Sequence, residues 1–308
     1  ALTAWSDVAR ITFVRVGAGT AGEAAYSNSA AILFANYTTG VSGASAFASY
    51  PGSTSPSSRA GDVWVNVSIG YNAAPTVGNY GGMVMVHEIG HAIGLAHPAD
   101  YDAGNGGTIT YAGNATYYED SRQYTVMSYF GESNTGANFG GVYSAAPLLD
   151  DIAAAQLEYG ANMTTRTGDT VYGFNATADR PWFVASSSAS KLVFAAWDAG
   201  GTDTFDFSGF SQSQVIDLRA GFFSDVGGLR GNVAVAQGVV IENARGGLGS
   251  DRITGNEAHN DIQAGPGNDT IGGAGGRDYL RGDDGADSIS GGADFDDFNG
   301  NRGNDTAA

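Results

Sequence analysis

From Gly246 to Ala308 the chain is seven consecutive nonapeptides, 63 residues in one frame: GGLGSDRIT, GNEAHNDIQ, AGPGNDTIG, GAGGRDYLR, GDDGADSIS, GGADFDDFN and GNRGNDTAA. The sixth position holds Asp251, Asn260, Asp269, Asp278, Asp287, Asp296 and Asp305. The eighth holds Ile253, Ile262, Ile271, Leu280, Ile289, Phe298 and Ala307. This pattern predicts a parallel β-roll in which each repeat is a turn followed by a short strand. The eighth residue points inward and stacks as the core. Glycine permits turn conformations closed to other residues, and it leaves backbone carbonyls exposed. Those carbonyls and the sixth-position carboxylates are hard oxygen donors suited to calcium. Successive turns alternate sides, so each ion is expected between repeats n and n+2. The expected ligands are Gly247, Gly249, Asp251, Gly265, Gly267, Asp269, Gly276, Asp278, Asp283, Gly285, Asp287, Asp296 and Asp305.

A glycine- and aspartate-rich tail can also be a disordered linker, but seven in-frame repeats with an apolar eighth position argue against it. Without calcium, disorder is the expectation. The repeats carry twelve acidic residues against four arginines, a net charge of −8, and one apolar core residue in nine. Such a segment folds against its own repulsion only when a cation binds. The frame is also uneven. Asn260 replaces aspartate and Asp294 replaces the fourth-position glycine, both on the side that holds Asp278. That side is expected to bind calcium more weakly than the side with Asp251, Asp269, Asp287 and Asp305. His259 sits at a repeat position expected to face solvent.

The chain has only four histidines, and three lie in His87-Glu88-Ile89-Gly90-His91-Ala92-Ile93-Gly94-Leu95-Ala96-His97. Met83 to Ile93 is apolar and free of proline, which predicts a buried helix. His87 and His91 then fall one turn apart on the same face. Both can place a ring nitrogen about 2.0–2.1 Å from one zinc ion. Gly94 ends the helix through a positive-φ turn, and that turn brings up His97. Three protein ligands leave a position for water, the arrangement of a catalytic zinc. Zinc lowers the pKa of such a water to about 7. Glu88 is offset from the ligand face and is expected to act as general base. The alternative, a core helix that happens to hold histidines, does not account for Gly94 and His97 at these offsets.

The run resembles the metzincin metalloproteases, specifically the serralysin family. Three further stretches are similar to that family. Thr125-Val126-Met127-Ser128-Tyr129-Phe130 resembles its Met-turn, with Met127 beneath the metal. Ala146 to Leu157 resembles the following helix. Ala195 to Gly209 and Phe223 to Ala244 resemble the start of its calcium-binding domain. The resemblance implies that Tyr129 is a switchable zinc ligand that stabilises the transition state. It also implies upstream calcium ligands at Arg166, Gly168 and Thr170, at Asp198, Gly200, Gly201 and Asp203, and at Val240 and Glu242.

The implied fold is an α+β metzincin catalytic domain at residues 1–165, followed by an all-β parallel β-roll at 166–308 built from the glycine/aspartate-rich nonapeptides. In the first part, strand-like stretches at Ile11–Val16, Ala31–Ala35 and Val63–Ile69 alternate with helices near 1–8, 81–94 and 146–159. In the second, short β runs such as Lys191–Ala195 and Asn232–Ala236 are expected. Family members carry a segment before the Trp5-Ser6-Asp7 helix and continue beyond the repeats, so both ends of this chain are expected to be incomplete.

The implied activity is a secreted zinc endopeptidase, with one catalytic Zn2+ and several structural Ca2+ ions. Glu88 takes a proton from the zinc-bound water and returns it to the leaving amine, and Tyr129 helps stabilise the oxyanion. Expected partners are protein or peptide substrates and a proteinaceous protease inhibitor, with the chain a monomer. The resemblance implies a bacterial, extracellular protein exported through a type I-like channel. The formal net charge of −18 argues against a nucleic-acid partner. No run of apolar residues is long enough for a membrane span, and the absence of cysteine excludes disulfides. Two other readings stand beside this one. The repeats alone permit a calcium-dependent binding or adhesion module with an inactive protease domain, and the motif alone permits a zinc hydrolase acting on a non-peptide bond. Glu88 argues against the first, and Met127 and Tyr129 against the second.

Overall fold

The computed structural model describes residues 1–17, 19, 27, 29–39, 44–52, 59–102 and 107–308. They form two units, one of Ala1–Thr135 with Tyr143–Asn162 and one of Gly136–Val142 with Met163–Ala308.

The first unit contains α1 (Leu2–Val8), β1 (Phe34–Tyr37), β2 (Ala46–Ala48), β3 (Val63–Asn66), α2 (Gly70–Ala73), α3 (Tyr80–Ala92), α4 (Tyr111–Asn114) and α5 (Leu149–Tyr159). The sheet runs β1-β3-β2, with β1 parallel and β2 antiparallel to β3. Alternation in Val63-Trp64-Val65-Asn66 turns Val63 and Val65 inward, where they pack against Ala92 of α3. Asn66 ends the strand. Its Oδ1 accepts from the Ser68 backbone N–H and hydroxyl at 3.1 and 2.6 Å, an Asx turn that leads into α2. Trp5 of α1 is fully buried, and its Nε1 donates to Val86 O of α3 at 3.1 Å. Gln156 Nε2 of α5 donates to Val8 O at 2.9 Å, so α5 closes over the end of α1.

Three strand expectations in the first unit differ from the structure, Val63–Ile69 among them, since β3 ends at Asn66. Ile11–Val16 forms no strand: it has no ladder partner among the described residues, and Val14 is 77% exposed. Alternation alone cannot make a strand without a neighbour to satisfy its backbone. In Ala31–Ala35 only the end is a strand, since β1 starts at Phe34.

The second unit contains β4 (Val171–Gly173), β5 (Phe194–Ala196), β6 (Thr204–Asp206), β7 (Val215–Asp217), β8 (Phe223–Ser224), β9 (Val233–Val235), β10 (Asn243–Arg245), β11 (Arg252–Thr254), β12 (Asp261–Gln263), β13 (Thr270–Ala274), β14 (Tyr279–Arg281), β15 (Ser288–Gly292), β16 (Asp297–Asn299) and β17 (Thr306–Ala307). Successive repeat strands alternate between two parallel sheets, ordered β16-β14-β12-β10-β6-β4 and β17-β15-β13-β11-β7. Eighth-position residues stack in register, Ile253 on Ile271 on Ile289 in one sheet and Ile262 on Leu280 in the other. All five are buried. The stacks fade at the far end, where Phe298 and Ala307 are exposed. His259 is exposed, as expected from its place in the repeat.

The roll begins well before the first nonapeptide. Ile253 pairs back to Ile216, and Ala244 to Phe205 and thence Tyr172. Tyr172, Phe194, Phe205, Phe207 and Phe210 are all fully buried, with edge-to-face ring contacts such as Tyr172 on Phe205 at 5.8 Å. An aromatic core thus closes one end of a stack that the repeats continue with one aliphatic side chain per turn.

Glycine is required unequally on the two sides. At the fourth position Gly267, Gly285 and Gly303 have φ of 149°, 154° and 148°, a region essentially closed to side chains. On the other side Gly276 has φ 91° and Asp294 φ 76°. That is close to the left-handed region, which aspartate tolerates. The expectation that Asp294 spoils its turn is therefore softened by the local geometry. Gly285→Ala is expected to destabilise the chain by roughly 1–3 kcal/mol, and its added carbon would also strike Gly267 O. Asp294→Gly should leave the midpoint within error. Thermal unfolding of both variants checks this, and equal losses would contradict it.

Candidate metal centre and the carboxylate ladders

Helix α3 carries the candidate centre. Asn79 caps it, its Oδ1 accepting from Gly82 N at 2.7 Å. Met83, Val84, Val86 and Ile89 bury its apolar face. Gly94, at φ 108°, turns the chain out of the helix. Each histidine ring then meets a backbone carbonyl: His87 Nδ1 meets Val126 O at 2.8 Å, His91 Nδ1 meets Leu95 O at 2.7 Å, and His97 Nδ1 meets Tyr101 O at 2.9 Å. A carbonyl only accepts, so Nδ1 carries the proton in all three rings and Nε2 keeps its lone pair. Those lone pairs converge. Nε2 of His97 lies 3.1 Å from Nε2 of His91 and 3.3 Å from Nε2 of His87. Two nitrogens bound tetrahedrally to one zinc at about 2.0–2.1 Å stand about 3.3–3.4 Å apart. The donor set therefore fits a zinc ion. Burial lowers the basicity of all three rings, His91 to about 4, which keeps them neutral at pH 7 as ligands must be.

Glu88 is buried on the same helix, and its Oε2 has no hydrogen-bond partner among the described residues. Burial raises its carboxyl to about 8. The Tyr129 ring lies beside the centre, its centroid 4.4 Å from that of His97 and 6.0 Å from that of His87. Met127 is buried under the helix. A side-chain carbon at Gly90 would fall 2.5 Å from Met127 Sδ and 3.1 Å from Trp5 Cζ2, so glycine there lets both pack close. His87, His91, His97 and Tyr129 are thus brought to one place, with Met127 packed beneath the same helix and Glu88 buried on it.

In the second unit the sixth-position residues, with Thr170, Asp203, Gln214 and Glu242 from upstream of the repeats, form two ladders of one kind of bond. The backbone N–H of each residue donates to the side-chain oxygen of the residue one turn on. On one side the bonds run Gln214 to Asp251, Asp251 to Asp269, Asp269 to Asp287 and Asp287 to Asp305, at 2.7–3.0 Å. On the other they run Thr170 to Asp203, Asp203 to Glu242 Oε2, Asn260 to Asp278 and Asp278 to Asp296, at 2.7–3.0 Å. The second carboxylate oxygens of Asp203, Asp269, Asp278 and Asp287 are buried with no hydrogen-bond partner among the described residues. A buried, unpartnered carboxylate oxygen is costly unless a cation answers it, so these oxygens fit calcium.

Other expected calcium residues are placed as follows. Gly247, Gly249, Gly265, Gly267, Gly276 and Gly285 line the turns, where a side-chain carbon would strike neighbouring backbone or side-chain atoms. Asp198 Oδ1 accepts from Gly200 N and its Oδ2 from Tyr172 Oη, and Gly201 packs on Gly168. Arg166 turns its guanidinium onto Trp197 O and Asp179. Asp283 accepts from Gln263 Nε2 and Asn301 Nδ2, so its carboxylate is already engaged. Val240 is 48% exposed.

Residues 161–306 match the Peptidase M10 serralysin C terminal family model. The chain is 53% identical over 255 residues to Serralysin B of Dickeya chrysanthemi, covering 81% of this chain and 50% of that protein. It is 51% identical over 269 residues to Metalloprotease AprA of Pseudomonas entomophila (strain L48), covering 85% and 53%. The chain belongs to the serralysin family. It spans about half the length of the relatives it matches.

The motifs of this serralysin-family chain do not mark the residues that hold its candidate metal ligands in place. Asp120 is fully buried; its Oδ1 accepts from Tyr101 Oη at 2.8 Å and Ser128 Oγ at 2.7 Å, tying the turn behind His97 to the turn before Tyr129. Arg122 donates to Ser128 O and Tyr129 O at 3.3 and 3.1 Å, with its guanidinium 5.4 and 5.9 Å from the Tyr80 and Tyr143 ring centroids. Asp151 of α5 accepts from Val126 N at 2.8 Å, Leu148 N at 2.9 Å and Thr125 Oγ1 at 2.6 Å. Burial pushes its carboxyl up to about 6 against the pull of those donors. The only sequence signal for Asp151 is an acid in the first turn of a helix. Asp151→Asn removes an acceptor and faces an amide against N–H donors. It is expected to cost about 1–3 kcal/mol and, through Val126, to weaken metal retention roughly 10–100-fold. Thermal unfolding and chelator competition measure the two effects. No change in either would remove Asp151 from the support of the centre.

Proposed function

We propose that this chain carries the catalytic centre of a zinc-dependent endopeptidase, joined to a calcium-built β-roll. The observation that carries the reading is the convergence of three histidine lone pairs at the end of a helix that also buries a carboxyl oxygen with no partner among the described residues. On this reading residues 1–165 are a metzincin catalytic domain and residues 166–308 the calcium-binding domain. His87, His91 and His97 would hold the zinc. The ion would supply a water acidified to near neutrality and an electrophile for the scissile carbonyl.

Glu88 takes the proton of the attacking water and delivers it to the leaving amine, both at its carboxylate. Burial alone raises its carboxyl to about 8, and a cation held by the three histidines would lower it again, leaving it ionised to accept the proton. The Tyr129 phenol donates to the oxyanion from beside His97. Asp120, Arg122 and Asp151 hold the turns that carry these groups. In the roll, Asp203, Asp269, Asp278 and Asp287 offer calcium oxygens that no described residue answers with a hydrogen bond. No helix among the described residues is long and apolar enough to cross a membrane. The reading extends to a secreted, extracellular, monomeric protein, exported from a bacterium through a type I-like channel. It acts on protein or peptide substrates and is open to a proteinaceous inhibitor.

Glu88→Gln is expected to retain zinc and lose about 10²–10⁴-fold in peptide hydrolysis, with Tyr129→Phe losing less. Casein hydrolysis with elemental analysis tests this. Activity of Glu88→Gln within a few-fold of wild type would end the mechanism, and loss of its zinc would make the carboxylate a ligand instead.

The roll should show opposite pH responses with and without calcium. Burial, with Asp251, Asp287 and Asp283 nearby, raises the Asp269 carboxyl from 3.8 to about 7, and burial raises Asp203 likewise to about 7. Without calcium, the folded roll binds these protons more tightly than the unfolded chain does. Stability is then lost as pH rises from about 4 through about 7. With calcium, only the carboxylates bind, so stability should rise over the same window. Thermal midpoints at about pH 5 and about pH 8, in chelator and in calcium, check both signs. The same slope in both conditions would contradict calcium binding at these carboxylates.

A further inference from the structure

The two peptide planes on either side of Tyr129 are each held at both of their polar groups. In the plane before it, Ser128 O accepts from Arg122 Nε at 3.3 Å, and the Tyr129 N–H donates to the Tyr101 phenol oxygen. In the plane after it, Tyr129 O accepts from Arg122 Nη2 at 3.1 Å, and Phe130 N donates to Ser128 Oγ at 3.0 Å. The backbone torsions of Tyr129 are therefore fixed from both sides, and its phenol is left to move about side-chain bonds. Tyr101 belongs both to this clamp and to the third histidine. Its carbonyl accepts from His97 Nδ1 at 2.9 Å, and its ring stacks on that imidazole at 5.2 Å with 17° between the planes. The same ring lies 5.1 Å from that of Tyr129. Its hydroxyl donates to Asp120 Oδ1 at 2.8 Å, and that oxygen also accepts from Ser128 Oγ at 2.7 Å. Tyr101 is 5% exposed and Asp120 is fully buried, which keeps water from competing for these bonds.

We infer that Tyr101 is a positioning residue for Tyr129: its hydroxyl, seated on Asp120, fixes the point about which the Tyr129 phenol swings, and its ring and carbonyl fix that point relative to His97. This rests on the reading of Tyr129 as a donor to the oxyanion. Such a donor helps only where it reaches the atom on which charge develops, and a misplacement of about 1 Å costs roughly 10²-fold. The two ends of Tyr101 have separable duties. The carbonyl aims a histidine and is kept by any side chain at this position. The hydroxyl acts on the Tyr129 turn. Removing the hydroxyl therefore alters turnover rather than metal retention.

The test begins with Tyr101→Phe, which keeps the carbonyl and the ring. It is expected to lower kcat for a peptide substrate about 10–10²-fold, with KM and zinc retention in chelator competition within a few-fold of wild type. In a Tyr129→Phe background the same substitution is expected to change kcat by less than about threefold, because the group it positions is gone. In the zinc-free chain, amide exchange at Tyr129 is expected to quicken about 2–10-fold, a readout that involves neither metal nor substrate. Ser128→Ala removes the other hydroxyl on Asp120 and should show the same dependence on Tyr129; it carries the test if the thermal midpoint shows that Tyr101→Phe does not fold. The inference is overturned if Tyr101→Phe lowers kcat by equal factors with and without the Tyr129 hydroxyl. It is also overturned if zinc is lost while kcat per bound zinc is unchanged. Wild-type turnover by Tyr129→Phe alone would end the role of Tyr129, and this inference with it, whatever Tyr101→Phe does.

Discussion

Three backbone carbonyls decide what the first unit can do. Val126 O, Leu95 O and Tyr101 O each engage one Nδ1–H, and by doing so they fix the tautomer and the aim of every ring. Without them the three rings could rotate, and their lone pairs would not meet. The carbonyls come from three places: the turn before Met127, the exit of α3 after Gly94, and the loop beyond His97. The folding of the unit serves to hold those three turns still. Asp151 grips the first through Val126 N, Gly94 shapes the second, and Asp120 reaches the third through the Tyr101 hydroxyl.

This division explains how much of the centre was legible in the sequence. Ligand spacing is a helical repeat plus a glycine exit, and both are local, so His87, His91, His97 and Glu88 could be read directly. The support is not local. Asp151 lies 25 residues from the Val126 N–H it holds, and Trp5 lies 81 residues from the Val86 carbonyl it caps. A single acid at a helix start or a single buried tryptophan has many meanings in a sequence, and only packing selects one. Ile11–Val16 shows the converse: its pattern was local and strand-like, yet pairing is a two-body property, and no partner is present among the described residues.

The roll was legible for a different reason. A nine-residue frame repeats the same constraint many times, so strand positions, inward residues and the exposed His259 all follow from one rule. The rule fails where the repeat does. Strands β4, β6 and β7 belong to the same sheets as the nonapeptides, but Tyr172, Phe205 and Ile216 carry no glycine frame to announce them. Their bulk does the work of a stopper, burying an aromatic cluster at the end where a stack of single aliphatic residues would lie open. The frame is also too strict in one place. It treats fourth positions as equivalent, although Gly285 at φ 154° cannot be replaced at low cost and Asp294 at φ 76° sits where aspartate is tolerated.

Both units obey one electrostatic logic. A buried polar atom with no partner is costly in a folded chain, so where several gather, the fold leaves space for something with the opposite character. Histidine lone pairs facing one another and buried carboxylate oxygens with no partner among the described residues are both arrangements that an unliganded chain has no reason to assemble. The chain can meet the demand in two ways. It can bind an ion, which makes folding respond to the concentration of that ion, or it can supply donors of its own.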